Sequence, residues 1–157
     1  MSDPIRPRLD AQRANERPHV LVVSDDPDLT SFLAEGLPLG GFWVSVIASG
    51  LQALEVFRLR QFDLIALDAE MQSFQATEFL LRLRGQSPLV SDDQPRSSAP
   101  VILFGDLPHL PGNLGVERVI RPPVEIDDVA RQLHEVFAAW RQDNPDVPLA
   151  DAANLAF

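Results

Sequence analysis

The sequence predicts an α/β fold in which helices cover both faces of a parallel sheet. Short apolar runs alternate along the chain with segments whose apolar residues recur at helical spacing. The runs are continuous and not alternating, which is typical of strands that are buried on both faces. Strands that alternate with helices in this way form parallel sheets with crossover connections.

The first third of the chain contains signals for two strands and two helices. HVLVV (19–23) predicts a buried strand, and FWVSVI (42–47) predicts a second. Asp26 is a favoured N-cap and Pro27 suits the first helical position, so a helix is expected to begin between the two strands. Ser49 is the expected cap of the next helix. We expect LGG (39–41) to end the first helix, and Leu51, Leu54 and Phe57 to face inwards in the second.

The middle of the chain continues the same alternation. FDLIAL (62–67) predicts the third strand, and residues 76–84 predict a third helix because their apolar residues lie on one helical face. Residues 85–99 have the Ser, Pro and Asp content of a loop. PVILF (100–104) predicts the fourth strand.

The segment after the fourth strand is a poor helix former. Residues 105–115 contain Pro108 and Pro111 together with three glycines, so we expect a loop or one short turn there. VERVI (116–120) predicts the fifth strand. Residues 125–140 then show the most regular helical spacing of apolar residues in the chain.

Composition excludes several classes of function. There is no cysteine, which excludes disulfides and thiolate metal sites. All 13 basic residues are arginine, so a phosphate-loop lysine and a Schiff-base lysine are also excluded. The net charge of −10 repels nucleic acid phosphates, and we expect no nucleic acid partner. The three histidines lie in different elements without metal-site spacing, so surface or packing roles are expected.

The ends of the chain differ in composition from its centre. Residues 1–17 are polar, rich in arginine and without periodicity, which predicts a disordered N-terminal tail. Residues 18–142 form the predicted domain, and residues 143–157 form a C-terminal tail. No apolar stretch is long enough to cross a membrane, and the N-terminus does not resemble a signal peptide. We therefore expect a cytoplasmic protein without membrane contact.

Polar residues follow four of the predicted strands directly. They are expected at one edge, because parallel strands end on the same side of a sheet and ligand sites of such folds lie there. Asp68 is the most conspicuous of them, because it ends the apolar run LIAL (64–67). The full set is Ser24, Asp25, Asp26, Asp68, Gly105 and Arg121.

Four segments resemble the receiver domains of two-component response regulators. The resemblance implies a flavodoxin-like, doubly wound sheet of five parallel strands in the order 2-1-3-4-5, while the prolines of residues 105–115 imply that the fourth helix is shortened or lost. The segments occur in the order and with nearly the spacing of that family. They are VLVVSDDPDL (20–29), FDLIALDAEMQSFQATEFLLRLR (62–84), PVILFG (100–105) and VIRPP (119–123).

The resemblance also implies a set of site residues. Asp68 stands at the position of the phosphoacceptor, Gly105 at that of a Ser or Thr, and Arg121 at that of a Lys that neutralises charge. Asp25 and Asp68, with the backbone of Glu70, are the candidate ligands of a weak Mg²⁺ site. Phosphoryl transfer depends mainly on positioning and charge stabilisation, and Mg²⁺ suits a few carboxylates with water and phosphate oxygens.

Several positions depart from the family pattern. Ser24 replaces the first acid of a pair, Gly105 offers no hydroxyl, and Asp106 adds a negative charge beside the site. We expect Arg121 to pair with Asp68 or Asp106, and we expect a cis peptide bond between Arg121 and Pro122. Arg118 replaces an aromatic switch residue, and we interpret it as a solvated residue of an edge strand.

These departures favour an atypical, pseudo-receiver function in phosphorelay signalling. We expect a protein-interaction module that is independent of phosphorylation or weakly phosphorylated, and that is not an enzyme. The alternative is a working receiver that is phosphorylated on Asp68 with Mg²⁺. A histidine kinase or a downstream signalling protein is the expected partner, and a homodimer is left open.

Overall fold

Five parallel strands form the centre of the molecule, in the order β2-β1-β3-β4-β5. The computed structural model describes residues 17–91 and 94–150. The predicted strand order is therefore confirmed, and strand bounds differ from the predicted ones by at most two residues. The strands are β1 (His19–Val23), β2 (Trp43–Ile47), β3 (Leu64–Asp68), β4 (Val101–Phe104) and β5 (Val116–Ile120).

Four α-helices cover the two faces of the sheet. One apolar core lies between the sheet and helices α2 and α3, and the other lies between the sheet and helices α1 and α4. β1, β3 and β4 are buried along their whole length, which explains why their sequences are continuous apolar runs. The helices are α1 (Pro27–Gly36), α2 (Gly50–Val56), α3 (Ala76–Leu83) and α4 (Ile126–Asp143).

The helix starts follow the predicted caps, and two details of the helices do not follow the prediction. Asp26 accepts from the amide of Asp28, and Ser49 caps α2. Leu51 was expected to face inwards but is 52% exposed, because helical spacing alone does not show how wide the buried face is. α1 ends at Gly36 and not at residues 39–41, because a separate 3₁₀ helix (Pro38–Gly40) follows it.

Residues 105–115 contain no helix, as the sequence predicted. The end of this segment is hydrogen-bonded to Arg84, whose guanidinium donates to the carbonyls of Leu114 at 2.8 Å and Gly115 at 3.4 Å. The same group donates to the carbonyls of Ser97 and Ala99 at 2.8 and 2.7 Å. One side chain therefore fastens the loop before β4 to the helix-free segment before β5.

The predicted N-terminal tail lies almost wholly outside the described residues, which exclude 1–16, and the predicted C-terminal tail is described as far as residue 150. Within the described part, the chain after α4 turns back towards the sheet. The amide of Ala150 donates to Asp63 at 3.0 Å, and Arg141 donates to the carbonyl of Val147 at 2.6 Å. No helix of the described part is long and apolar enough to span a membrane.

Candidate functional site

Polar residues from four strands meet at one edge of the sheet. Ser24 follows β1, Asp68 ends β3, Gly105 follows β4 and Arg121 follows β5. The strands are parallel and adjacent, so their carboxyl ends lie side by side, and Asp68, Gly105 and Arg121 line a common groove of about 560 Å³. Its charged lining residues are Asp26, Asp28, Asp68, Glu70, Asp106 and Arg121.

Asp68 is held by hydrogen bonds to two neighbours. Its side chain is buried, with only 6% of the residue exposed. The Ser24 hydroxyl donates to Oδ2 of Asp68 at 2.7 Å, and the amide of Glu70 donates to Oδ1 at 2.8 Å. Ser24 is itself completely buried and accepts from the amide of Asp26 at 3.0 Å. The neutral hydroxyl of Ser24 thus binds Asp68, at the position where the resemblance implies the first acid of a pair.

Asp25 is engaged with the loop after β3 and is not among the residues that line the groove. Its Oδ2 accepts from the amides of Gln72 and Ser73 at 3.0 Å each, and from the Ser73 hydroxyl at 2.9 Å. Burial raises the pKa of Asp25, but these hydrogen bonds outweigh burial and lower it below the ordinary value. Asp25 therefore acts as an acceptor that positions this loop.

The groove's cation pairs with a carboxylate other than Asp68. Nε of Arg121 donates to Oδ1 of Asp106 at 2.5 Å, and both side chains are about two-thirds exposed. Of the two pairs that the sequence left open, the structure has the one with Asp106. Solvent screening makes such an exposed pair weak, at about 0–1 kcal/mol, so it orients Arg121 more than it stabilises the fold.

Gly105 has a backbone conformation that disfavours the Ser or Thr implied by the resemblance at this position. Its φ is +108°, a region that residues with a side chain rarely adopt. A Cβ at this position would lie 3.3 Å from the Cβ of Ala69. The loop after β4 has therefore adapted to glycine, and a serine or threonine would need a different backbone there.

The groove is strongly acidic. Five carboxylates line it and Arg121 is its one cation among the described residues. A phosphoryl group on Asp68 would lie near these charges, and two unit charges about 5 Å apart repel by roughly 3 kcal/mol at an effective dielectric near 20. The arrangement therefore opposes the build-up of negative charge that phosphoryl transfer requires.

The donor set does not fit a Mg²⁺ site of the kind the resemblance implies. Oδ2 of Asp25 accepts hydrogen bonds from the loop after β3, and the Ser24 hydroxyl donates a hydrogen bond to Asp68. Within the described residues no three acidic or histidine side chains are grouped so that they could hold a metal ion. The backbone carbonyl of Glu70 accepts from the side-chain amide of Gln72 at 3.3 Å.

The Ser24→Asp variant is expected to gain a response to Mg²⁺. The new carboxylate would lie beside Asp68 and repel it by about 4 kcal/mol at roughly 4 Å and an effective dielectric near 20. A divalent cation relieves this repulsion. With a Kd of about 1 mM, roughly 10 mM Mg²⁺ should stabilise the variant by about 1.4 kcal/mol. Thermal unfolding with and without MgCl₂ measures the effect.

The matched control for this experiment is Ser24→Asn, which has the same shape without the charge. The parent and the Ser24→Asn variant should change their unfolding midpoints little on addition of Mg²⁺. An equal midpoint shift in the parent and in Ser24→Asp would contradict our assignment of the donor set.

Three features of this region were missed or misplaced by sequence reasoning. The hydrogen bond from Ser24 to Asp68 was not expected, although the position of Ser24 after a buried strand was a signal for it. The cis peptide is between Pro122 and Pro123, so the predicted cis bond after Arg121 is wrong; both are X-Pro bonds, and the sequence does not choose between them. Arg118 pairs with Glu135 of α4 at 2.9 Å.

The chain is similar in structure to receiver domains of response regulators. A CheY-like response regulator receiver domain from Methanospirillum hungatei JF-1 has a TM-score of 0.67 at 19% identity, covering 80% of this chain and 98% of that one. The signal receiver domain of an HD domain-containing protein from Pseudomonas fluorescens Pf-5 has a TM-score of 0.66 at 20% identity, covering 83% and 94%. These likenesses show the fold.

Curated proteins with similar sequences are transcriptional regulators. The uncharacterised transcriptional regulatory protein YkoG of Bacillus subtilis is 26% identical over 82% of this chain and 53% of its own length. The transcriptional regulatory protein PrrA of Mycobacterium tuberculosis is 37% identical over 43% of this chain and 29% of its own length. The matched region thus spans from under a third to about half of these relatives. No family model matches the chain.

Proposed function

This chain has the fold of a response regulator receiver domain, and we propose that it serves two-component signalling as a protein-interaction module. Its output does not depend on phosphorylation of Asp68. The observation that carries this proposal is the pairing at the site: Asp68 is held by Ser24 and Glu70, while Arg121 is engaged with Asp106.

Each element that phosphoryl transfer needs is weakened at this site. The attacking carboxylate needs charge neutralisation, and four further acidic side chains line the groove around it. The position after β4 is Gly105, which has no hydroxyl to hold a phosphoryl oxygen. Asp25 does not line the groove, and its Oδ2 accepts three hydrogen bonds from the loop, which compete with binding of Mg²⁺. The site therefore has the frame of a receiver without its chemistry.

Asp106 also affects how the site could respond to phosphorylation. It places a permanent anion next to Arg121, the cation that would otherwise be free to pair with a phosphoryl group on Asp68. The loop after β4 is thereby linked to the end of β5 in the unmodified protein. We infer that this edge of the sheet holds one arrangement, and that partners recognise it without a phosphorylation signal.

The partners belong to the same proposal. A histidine kinase or a downstream signalling protein fits a module of this fold, whereas a net charge of −10 disfavours nucleic acid. The module acts in the cytoplasm, binds other proteins and performs no catalysis of its own. A homodimer remains one form that the interaction can take.

Intact mass after incubation with acetyl phosphate and excess Mg²⁺ tests the proposal. The parent chain should gain little or no phosphoryl group, because its site does not stabilise the transferred charge. Asp68→Asn should give the same mass spectrum as the parent. A receiver domain known to be phosphorylated under the same conditions shows that the phosphodonor is active.

Rapid, near-stoichiometric gain of one phosphoryl group by the parent, lost in Asp68→Asn, would overturn the proposal. That result would establish the alternative, in which Asp68 is a working phosphoacceptor. Gain of a phosphoryl group in both proteins would place the modification elsewhere and leave Asp68 without that role.

A further inference from the structure

A second groove lies at the end of the sheet opposite to Asp68. It has a volume of about 520 Å³ and is lined by Arg17, His134 and Arg141, with Phe137 among its apolar residues. Its location follows from Pro18 and Gly41, which also line it and which lie just before β1 and β2. No carboxylate lines it among the described residues, although the whole chain has a net charge of −10.

The two arginines of this groove are held in place by neutral partners. Arg17 donates to the carbonyl of Pro38 at 3.0 Å, and its guanidinium lies 5.0 Å from the ring centre of Trp43. Arg141 donates to the carbonyl of Val147, and its guanidinium lies 5.8 Å from the ring centre of Phe137. A guanidinium has five N–H donors, so each arginine keeps donors for a further partner.

The charge of both arginines is not neutralised by direct contact. Neither of them forms an ion pair with a carboxylate within residues 17–91 and 94–150. Arg141 acts on the buried carboxyl of Asp63 through space only. The hydrogen bonds and ring contacts described above already order both side chains in the free protein. Binding of a ligand therefore costs less side-chain entropy.

We propose that this groove binds a short acidic segment of a partner protein. Carboxylates of the segment pair with Arg17 and Arg141, whose planar forks match carboxylate geometry. An apolar residue of the same segment packs on Phe137. A short segment is favoured because the overall charge of −10 repels long polyanions such as nucleic acid.

This inference does not depend on the state of Asp68. The basic groove and the acidic groove lie at opposite ends of the strands, and no residue lines both of them. Phosphorylation of Asp68 by acetyl phosphate, which would overturn the proposed function, would leave this inference untouched. Equally, failure of the peptide experiment below would leave the proposed loss of phosphotransfer untouched.

Fluorescence titration of the full chain with a short peptide of alternating glutamate and leucine tests the proposal. Trp43 is the reporter because Arg17 lies over its ring, and Trp140→Phe removes the other tryptophan. We expect saturable binding that weakens with added salt. Arg17→Gln or Arg141→Gln should weaken binding about tenfold, equivalent to about 1.4 kcal/mol. Arg17→Lys should recover part of the loss.

Two controls accompany the titration. The same peptide with glutamine in place of glutamate should bind at least about tenfold more weakly, since it cannot form the ion pairs. Arg58→Gln removes an arginine that lines a different groove and should leave the affinity unchanged. Circular dichroism of each variant establishes that it is folded.

Several results would overturn the proposal. One is unchanged affinity in the Arg17→Gln/Arg141→Gln double variant, and another is equal binding of the glutamate and glutamine peptides. Tighter binding of inorganic pyrophosphate than of the peptide would assign the groove to a phosphate ligand. Binding that is seen only after removal of residues 1–16 would assign it to the chain's own N-terminal segment.

Discussion

Replacement of Arg84 by methionine is expected to lower the free energy of unfolding by about 4 kcal/mol. The guanidinium donates to the carbonyls of Ser97, Ala99 and Leu114 at 2.7–2.8 Å. Methionine has a similar length but no donor, and each buried carbonyl left without a partner costs about 1–3 kcal/mol. Arg84 is only partly buried, so we expect water to take the place of the guanidinium at some of these carbonyls in the variant, which limits the total loss.

Urea unfolding followed by circular dichroism measures this loss of stability, and two further variants serve as controls. Arg84→Lys retains the charge but not the fork, so its loss should be intermediate. Arg58→Met removes an exposed arginine whose partner Glu55 is 3.4 Å away, and should change stability by less than about 0.5 kcal/mol. Equal stability of Arg84→Met and the parent would show that Arg84 does not fasten the segments before β4 and β5.

Acidification from pH 7 to pH 4 is expected to destabilise the protein through His19. This residue is 1% exposed, with its Nε2 2.8 Å from the Ser45 hydroxyl. Burial, with a smaller effect from the charge of Arg60, lowers the pKa of His19 from 6.5 to about 4. This shift corresponds to a loss of about 3 kcal/mol in unfolding free energy across that range.

The direction follows from proton binding in the two states. As pH falls below 6.5, His19 takes up a proton in the unfolded chain before it does so in the folded protein. The stability that is present above pH 6.5 is therefore lost down to about pH 4. Asp63 opposes this at the acid end, because burial raises the pKa of its carboxyl and the folded state then binds its proton more tightly.

Unfolding free energies of the parent and His19→Gln at several pH values isolate the contribution of His19. Glutamine can keep a hydrogen bond to Ser45 but does not titrate, so the variant should lose most of the slope between pH 4 and 6.5. His109→Gln, which removes an exposed histidine, should keep the parent's slope. Parallel pH profiles for the parent and His19→Gln would contradict the prediction.

The architecture was largely determined by local sequence. Continuous apolar runs such as HVLVV (19–23) predicted buried strands, since only a strand covered on both faces needs no polar positions. Asp26 and Ser49 predicted the starts of α1 and α2, because capping depends on a few neighbouring residues. The absence of a helix in residues 105–115 followed from their prolines and glycines.

Burial of individual residues required the tertiary structure. Helical spacing placed Leu51 on the inner face, but the packing of α2 leaves it exposed. The depth at which His19 is buried depends on Ser45 and on Phe62, whose ring lies 4.8 Å from that of His19. These neighbours are distant in sequence, so no local pattern indicated the depressed pKa.

At the candidate site, the sequence determined which residues meet and the tertiary structure decided how they pair. Strand ends placed Ser24, Asp68 and Arg121 at one edge, because parallel strands finish together. The choice of Ser24 for Asp68, and of Asp106 for Arg121, required relative positions within a few tenths of an ångström. Hydrogen bonds of this kind depend on the packing of whole strands against one another, which local sequence patterns do not specify.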